Sequence, residues 1–212
     1  MKKMILKVST AALLLTQIVL VGGVAAEAGN TTLPRVATTA STAAKTTVPV
    51  MTDNLSKYGL KKAMNLPVTL SSEGLSYTLH KIMIYDFNSP EVKKLQKLYG
   101  FQNGSDVIIV PKYFIWTKVT IKNNTSKMLK GSGADIHRLI PLTFQTGEIT
   151  DPAWPMNLAQ KINSKDALWT YRIKPGEQIT SYLAYYYDKE IDYFVIRMLY
   201  GKNFVEKYVV PE

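Results

Sequence analysis

The sequence predicts an all-β fold, an antiparallel sandwich of about seven or eight strands with one or two short inserted helices. Three observations predict it. From Leu66 to the end of the chain, apolar and polar residues alternate over short runs. Turn signals such as Lys174-Pro175-Gly176-Glu177 separate those runs. Helical periodicity is confined to a few short stretches, too sparse for the strand–helix–strand alternation of a parallel sheet.

Taken in order, Leu66-Pro67-Val68-Thr69-Leu70 opens the first strand. Leu75, Tyr77 and Leu79 then alternate with Ser76, Thr78 and His80, after which the apolar phase moves to Ile82 and Ile84. A slip of one residue in a period-two pattern predicts a bulge or a strand crossing between sheets. Ser89 as cap, Pro90 at the first helical position and Glu91 at the positive end of the dipole start a helix. Val92, Leu95, Leu98 and Tyr99 share one face of it, Lys93, Lys94 and Lys97 the other, and Gly100 ends it. Val107–Val110 reads as a short buried strand ended by Pro111. Tyr113 to Ile121 reads as a strand apolar on both faces at its start and one-sided towards the Asn123-Asn124 turn. Further strands are expected over 139–145, 168–173, 178–187, 193–200 and 204–210, with polar breaks at Asp188–Asp192 and Gly201-Lys202-Asn203. Weaker helical spacings occur over 54–64 and 155–165.

The first 28 residues read as a signal peptide. Lys2, Lys3 and Lys7 precede an uncharged run to Ala26, which closes on small residues suited to cleavage after Ala26 or Ala28. An uncleaved membrane anchor is the alternative, since the run approaches the length that spans a bilayer. Residues 29–54 read as a Thr/Ala-rich flexible linker with little to bury, and 55–212 as the folded domain. The expectation is therefore a secreted, extracellular protein, associated with the cell surface only through its folded part. The chain has no cysteine, so neither a disulfide framework nor a lipid-modified cysteine is available. That usage fits export from a Gram-positive bacterium. The formal charge of +10 favours anionic wall polymer, a lipid surface or another envelope protein as partner, with no nucleic acid expected.

Four segments carry a resemblance. Tyr77-Thr-Leu-His-Lys-Ile-Met-Ile-Tyr-Asp86 resembles the first long strand of the immunoprotective extracellular immunoglobulin-like family. Trp116-Thr-Lys-Val-Thr-Ile-Lys-Asn-Asn-Thr125 is similar to that family's central valine-rich strand and its Asn-Asn/Ser-Thr turn. Ile173-Lys-Pro-Gly-Glu-Gln-Ile179 resembles its Pro-Gly-Glu turn, and Tyr182–Tyr187 with Tyr193–Ile196 its last core hairpin. The resemblance covers roughly residues 66–200 and implies an immunoglobulin-like sandwich. It implies no shared catalytic residue, and many members are lipoproteins, which this chain lacks the cysteine to be.

The chemistry-bearing residues are few. Ser132, Asp135 and His137 lie too close in sequence to read as a convergent triad, and they are expected to form a polar loop. Asp188, Glu190 and Asp192 alternate as calcium ligands do, but without the rest of the loop pattern they read as a solvated turn. No catalytic, cofactor-binding or metal-ligating residue is therefore assigned. Two surfaces are candidates for binding: Tyr182 and Tyr186 on one strand face, and Lys93, Lys94 and Lys97 on the helix. The expected function is non-enzymatic binding of a cell-envelope polymer, lipid or protein. The alternatives are a secreted enzyme or toxin-like effector, and a structural module of an envelope complex. A deep pocket holding Asp135, His137 or the 188–192 acids would favour the enzyme.

Overall fold

The computed structural model describes residues 48–103, 107–108, 110–146, 148 and 150–211. The signal-peptide reading and residues 29–47 of the linker reading lie outside them. No helix among the described residues is long and apolar enough to cross a membrane.

Among the described residues, eleven strands and two α-helices make up the domain: β1 (Val68–Ser72), β2 (Leu75–Asp86), α1 (Pro90–Tyr99), β3 (Phe101–Asn103), β4 (Tyr113–Asn123), β5 (Leu129–Gly131), α2 (Gly133–Leu139), β6 (Leu142–Thr143), β7 (Asp151–Pro155), β8 (Tyr171–Ile173), β9 (Gln178–Tyr187), β10 (Phe194–Tyr200) and β11 (Asn203–Val210). A six-stranded sheet runs in the order β1-β2-β4-β9-β7-β3. A three-stranded sheet, β11-β10-β6, and the ribbon β5-β8 complete an antiparallel β-sandwich.

The large sheet is buried on both faces along part of its length. Towards the small sheet, Leu75, Tyr77, Leu79, Ile82 and Ile84 of β2 join Ile115, Val119 and Ile121 of β4 and Leu183, Tyr185 and Tyr187 of β9 against Phe194, Ile196 and Met198 of β10. On the opposite face a second core gathers Met83, Tyr85, Phe114, Trp116, Ala184 and Tyr186 beneath Val92, Leu95 and Tyr99 of α1. The inward residues of β2 change phase between Leu79 and Ile82 because His80 is an extra residue: the register with β4 shifts between Leu79 and Lys81. The predicted bulge is there. β4 is buried on both sides from Tyr113 to Thr117, as its start predicts.

Helix α1 forms where the sequence places it. Ser89 Oγ accepts from the Val92 amide at 3.4 Å, Pro90 stands at the first position, and Gly100 closes the helix with φ +70°. Burying Val92 and Leu95 stabilises the outer layer by about 1.5–3 kcal/mol each. The Lys174–Glu177 turn also forms, with Gly176 at φ +78° and the Glu177 amide donating to the Lys174 carbonyl at 3.0 Å.

Elsewhere the structure corrects the expectations. Val107 and Val110 are 67% and 81% exposed, so no buried strand runs there; Ile108 packs into the outer core, its amide bound by Asp151. The expected strand over 139–145 shrinks to β6, because the chain before it is the helix α2. The helical spacings over 54–64 and 155–165 yield only 3-10 turns at Leu55–Tyr58 and Met156–Leu158. β3, β5 and β7 were not expected; Pro152 and Pro155 obscure β7, and the sheet tolerates them near its margin. The folded domain also takes in the chain just before Leu55: Met51 is buried, and Asn54 clamps β2 through bonds of 2.6 and 2.8 Å to the Ile84 main chain.

Because α1 covers an otherwise exposed aromatic face, Leu95→Ala should cost about 2–5 kcal/mol in urea unfolding. Ser89→Ala should cost only about 1 kcal/mol. Equal, negligible effects would show that the helix is not part of the cooperative core.

Candidate functional site

Helix α1 covers only half of the outer face of the large sheet. Beyond Trp116 the side chains on that face change from aromatic to polar. Lys118, Thr120 and Lys122 of β4 stand opposite Tyr182, Thr180 and Gln178 of β9, while Thr78 and Ser76 of β2 stand beside Thr69 and Ser71 of β1. The hydroxyls are bonded across the strands: Thr69 to Thr78 at 2.8 Å, Ser71 to Ser76 at 2.9 Å, and Thr120 to Thr180 at 2.7 Å. His80, displaced by the bulge, reaches Thr120 Oγ1 through Nε2 at 2.8 Å. Partial burial and the neighbouring Lys118 charge hold this imidazole below its ordinary pKa of 6.5.

A groove of about 600 Å³ opens on this half, lined by Lys118, Gln178, Thr180 and Tyr182 of the sheet and by Asn163 and Lys165 of the loop beside β9. The loop is pinned in place. Asn163 bonds the main chain of Arg172 at 2.7 and 2.8 Å, Ser181 Oγ donates to the Ser164 carbonyl at 2.5 Å, and the Leu168 amide donates to the Tyr182 carbonyl at 2.9 Å. Tyr182 is held flat against Trp116, with ring centres 5.0 Å apart and planes 6° from parallel, and Tyr99 stacks on the same indole at 5.9 Å. No acid lines the groove, and neither Lys118 nor Lys165 forms an ion pair among the described residues. The nearby Asp166 carboxylate is paired with Lys161. The groove thus offers two cations, hydroxyl and amide groups, and one ring edge held by stacking.

The two tyrosines singled out from the sequence part company. Tyr182 borders the groove, whereas Tyr186 is 3% exposed beneath α1, packed on Phe87 and Phe114. A two-tyrosine platform does not exist, because Phe87 and the helix fill the space over the second ring. Lys93, Lys94 and Lys97 are exposed on the outer side of α1 without an ion-pair partner among the described residues. Lys94 borders a separate shallow groove with Pro49, Val50, Tyr85 and Glu91. The lysines that share a groove with Tyr182 are Lys118 and Lys165, and sequence reasoning missed them. Alternation assigns Lys118 to the polar face, but nothing local brings residue 165 to it.

Ser132, Asp135 and His137 do not form a loop: Ser132 caps α2, Asp135 lies in its first turn and His137 in its last. Ser132 and Asp135 make a reciprocal capping box, with the Ser132 amide donating to Asp135 Oδ2 at 2.7 Å. That capping role, led by the Ser132 amide, holds the Asp135 carboxyl below its usual range. A Ser-x-x-Asp signature was the signal that could have revealed this helix. His137 is buried, with Nδ1 2.6 Å from the Gly133 carbonyl and Nε2 3.0 Å from the Ala184 carbonyl. Burial pushes its pKa below 6.5 against the upward pull of those carbonyls and of Asp151. A cavity of about 430 Å³ does border His137, Arg138, Thr150 and Asp151. Of its polar groups, Thr150 donates to the Leu142 carbonyl and Asp151 accepts from the Ile108 amide, while both His137 nitrogens face carbonyls, of which the neutral ring can donate to only one. Of the acids at 188–192, Glu190 pairs with Lys112 at 2.5 Å.

Neither a family model nor a curated protein matches this chain. Among solved structures it is similar to the yjhA protein from Bacillus subtilis, at 12% identity over 62% of this chain and 76% of that one, with a TM-score of 0.39. It is similar to a functionally unknown protein from Listeria monocytogenes EGD-e, at 13% identity over 68% and 80%, with a TM-score of 0.39. It is also similar to an uncharacterized beta-sandwich protein from Clostridium difficile 630, at 11% identity over 68% and 91%, with a TM-score of 0.36.

Tyr186→Ala should destabilise the domain by about 3–5 kcal/mol, and Tyr182→Ala by about 1 kcal/mol, as judged by urea unfolding. The reverse order would contradict the division of the sheet face. For His137, a folded pKa below the unfolded value of 6.5 means that the unfolded chain takes up a proton first. Stability should therefore fall as pH drops from about 6.5 towards the folded pKa. His137→Gln should flatten that dependence in unfolding curves recorded at successive pH values, and an unchanged slope would refute it.

Proposed function

We propose that this protein is a non-enzymatic binding module of the cell exterior, and that its groove holds an anionic, hydroxyl-rich glycopolymer of the envelope. The observation that carries this reading is the pairing of Lys118 and Lys165, neither with an acidic partner among the described residues, with Thr180, Gln178, Asn163 and the stacked Tyr182 in one preformed groove. Lysine supplies point charges that accept a repeating anion in many orientations, whereas hydroxyl and amide groups suit a polyol or sugar. A tyrosine ring locked by stacking presents apolar area at little entropic cost. Export, read from the N-terminal sequence, would bring the basic domain to such polymers, and the positive net charge that remains once Lys2, Lys3 and Lys7 are removed would speed the encounter. The alternative of a secreted enzyme draws on the cavity beside His137, where Thr150 and Asp151 are already bonded to the main chain and the imidazole is buried between two carbonyls.

Co-sedimentation with purified envelope polymer, and titration with dextran sulfate against neutral dextran, test the reading. Only the anionic ligands should bind, with affinity falling as salt rises. Lys118→Glu combined with Lys165→Glu should weaken binding about tenfold, on the order of 1–2 kcal/mol for two reversed charges. Salt-insensitive binding, or full affinity in that double variant, would reject the groove as the site.

A further inference from the structure

We infer that proton uptake by His80 strengthens anion binding at this face, acting through a chain of hydroxyls that ends at Thr180 in the groove. The inference rests on the proposed function for its ligand and on the geometry of the bulge for its mechanism. His80 is the extra residue of β2, and this places its ring over β4 rather than in the ordinary strand register. From there Nε2 lies 2.8 Å from Thr120 Oγ1, and Thr120 Oγ1 lies 2.7 Å from Thr180 Oγ1. Thr180 in turn lines the groove.

Each threonine has one hydroxyl proton to give. When the ring is protonated, Nε2–H must donate to Thr120, which then donates to Thr180, and the Thr180 proton is left to point into the groove. When Nε2 is unprotonated, it accepts from Thr120, Thr120 accepts from Thr180, and Thr180 presents lone pairs to the groove instead. A neutral ring permits either direction, depending on its tautomer; the protonated ring allows only the one that suits an anion. Protonation also adds a positive charge two hydrogen bonds from the groove, within the screening length of physiological salt.

The charged groups around His80 are cationic. Lys118 faces it from β4, Lys81 adjoins it and reaches the Met51 carbonyl at 3.2 Å, Lys122 lies further along β4, and Lys165 faces the sheet from the loop. Threonines 69 and 78 on the β1–β2 side and Tyr182 on β9 are the neutral neighbours on that face. An anion seated among the lysines offsets the repulsion that Lys118 exerts on a protonated ring. By linkage, the proton and the anion then favour one another equally.

Dextran sulfate is the probe, because its sulfate esters stay ionised across the range in which His80 titrates. Affinity measured calorimetrically from pH 8 to pH 5 should rise as pH falls, by about tenfold for each unit by which the ligand raises the His80 pKa. His80→Gln and Thr120→Val should flatten that profile, and Thr120→Ser should restore it, with urea midpoints confirming that each variant is folded. Proton resonances of the two imidazoles give a direct check: ligand should raise the pKa of His80 and leave that of His137 unmoved. A flat profile in the native protein, or an unchanged one in His80→Gln, overturns this inference and leaves the binding reading intact. No binding at any pH overturns both.

Discussion

The structure depends on burying one pair of strands on both faces. Over Tyr113–Thr117 of β4 and Leu183–Tyr187 of β9, every side chain is withdrawn from water. One sheet cannot achieve this, since successive side chains point to opposite sides. The small sheet covers one face and α1 the other, with the indole of Trp116 at the centre of the second layer. The helix inserted after β2 is thus the lid of a second core, and Ser89, Pro90 and Gly100 matter because they set the length of that lid.

Where the lid ends, the same sheet becomes a surface. The transition falls between Trp116 and Lys118 on β4 and between Ala184 and Tyr182 on β9. Tyr182 belongs to both sides of it, packed on the indole and bordering the groove. Core packing therefore holds the aromatic element of the groove, while the bonded threonines keep the adjoining surface in order without apolar cover. The bulge at His80 adds a titratable group to a face otherwise built from lysines and hydroxyls.

Much of this was legible in the chain where the controlling interactions are local. Ser89-Pro90-Glu91 and Gly100 define α1 because capping and φ preferences act within a few residues. The slip of apolar phase after Leu79 revealed the bulge because side-chain direction in a strand is strictly periodic. Gly133 to Leu139 could have been read as a helix from its capping box, but Gly133 and a mixed polar composition concealed it. β7 was hidden by its prolines, and Val107–Val110 misled because an apolar run does not say whether a partner strand exists.

The sequence by itself determined the all-β class, the helix α1, the major turns, the bounds of β9 to β11 to within a residue, and the faces on which Lys118, Thr120, Thr180 and Tyr182 stand. Those follow from periodicity and turn chemistry, which neighbouring residues carry. Only the tertiary structure decided that Tyr186 is covered while Tyr182 borders the groove, that Lys165 lines the same groove as Lys118, and that His80 connects to Thr180 through Thr120. Such contacts join residues tens of positions apart, and the packing of α1 and the pinning of the loop at Asn163 set them, not any pattern within a single segment.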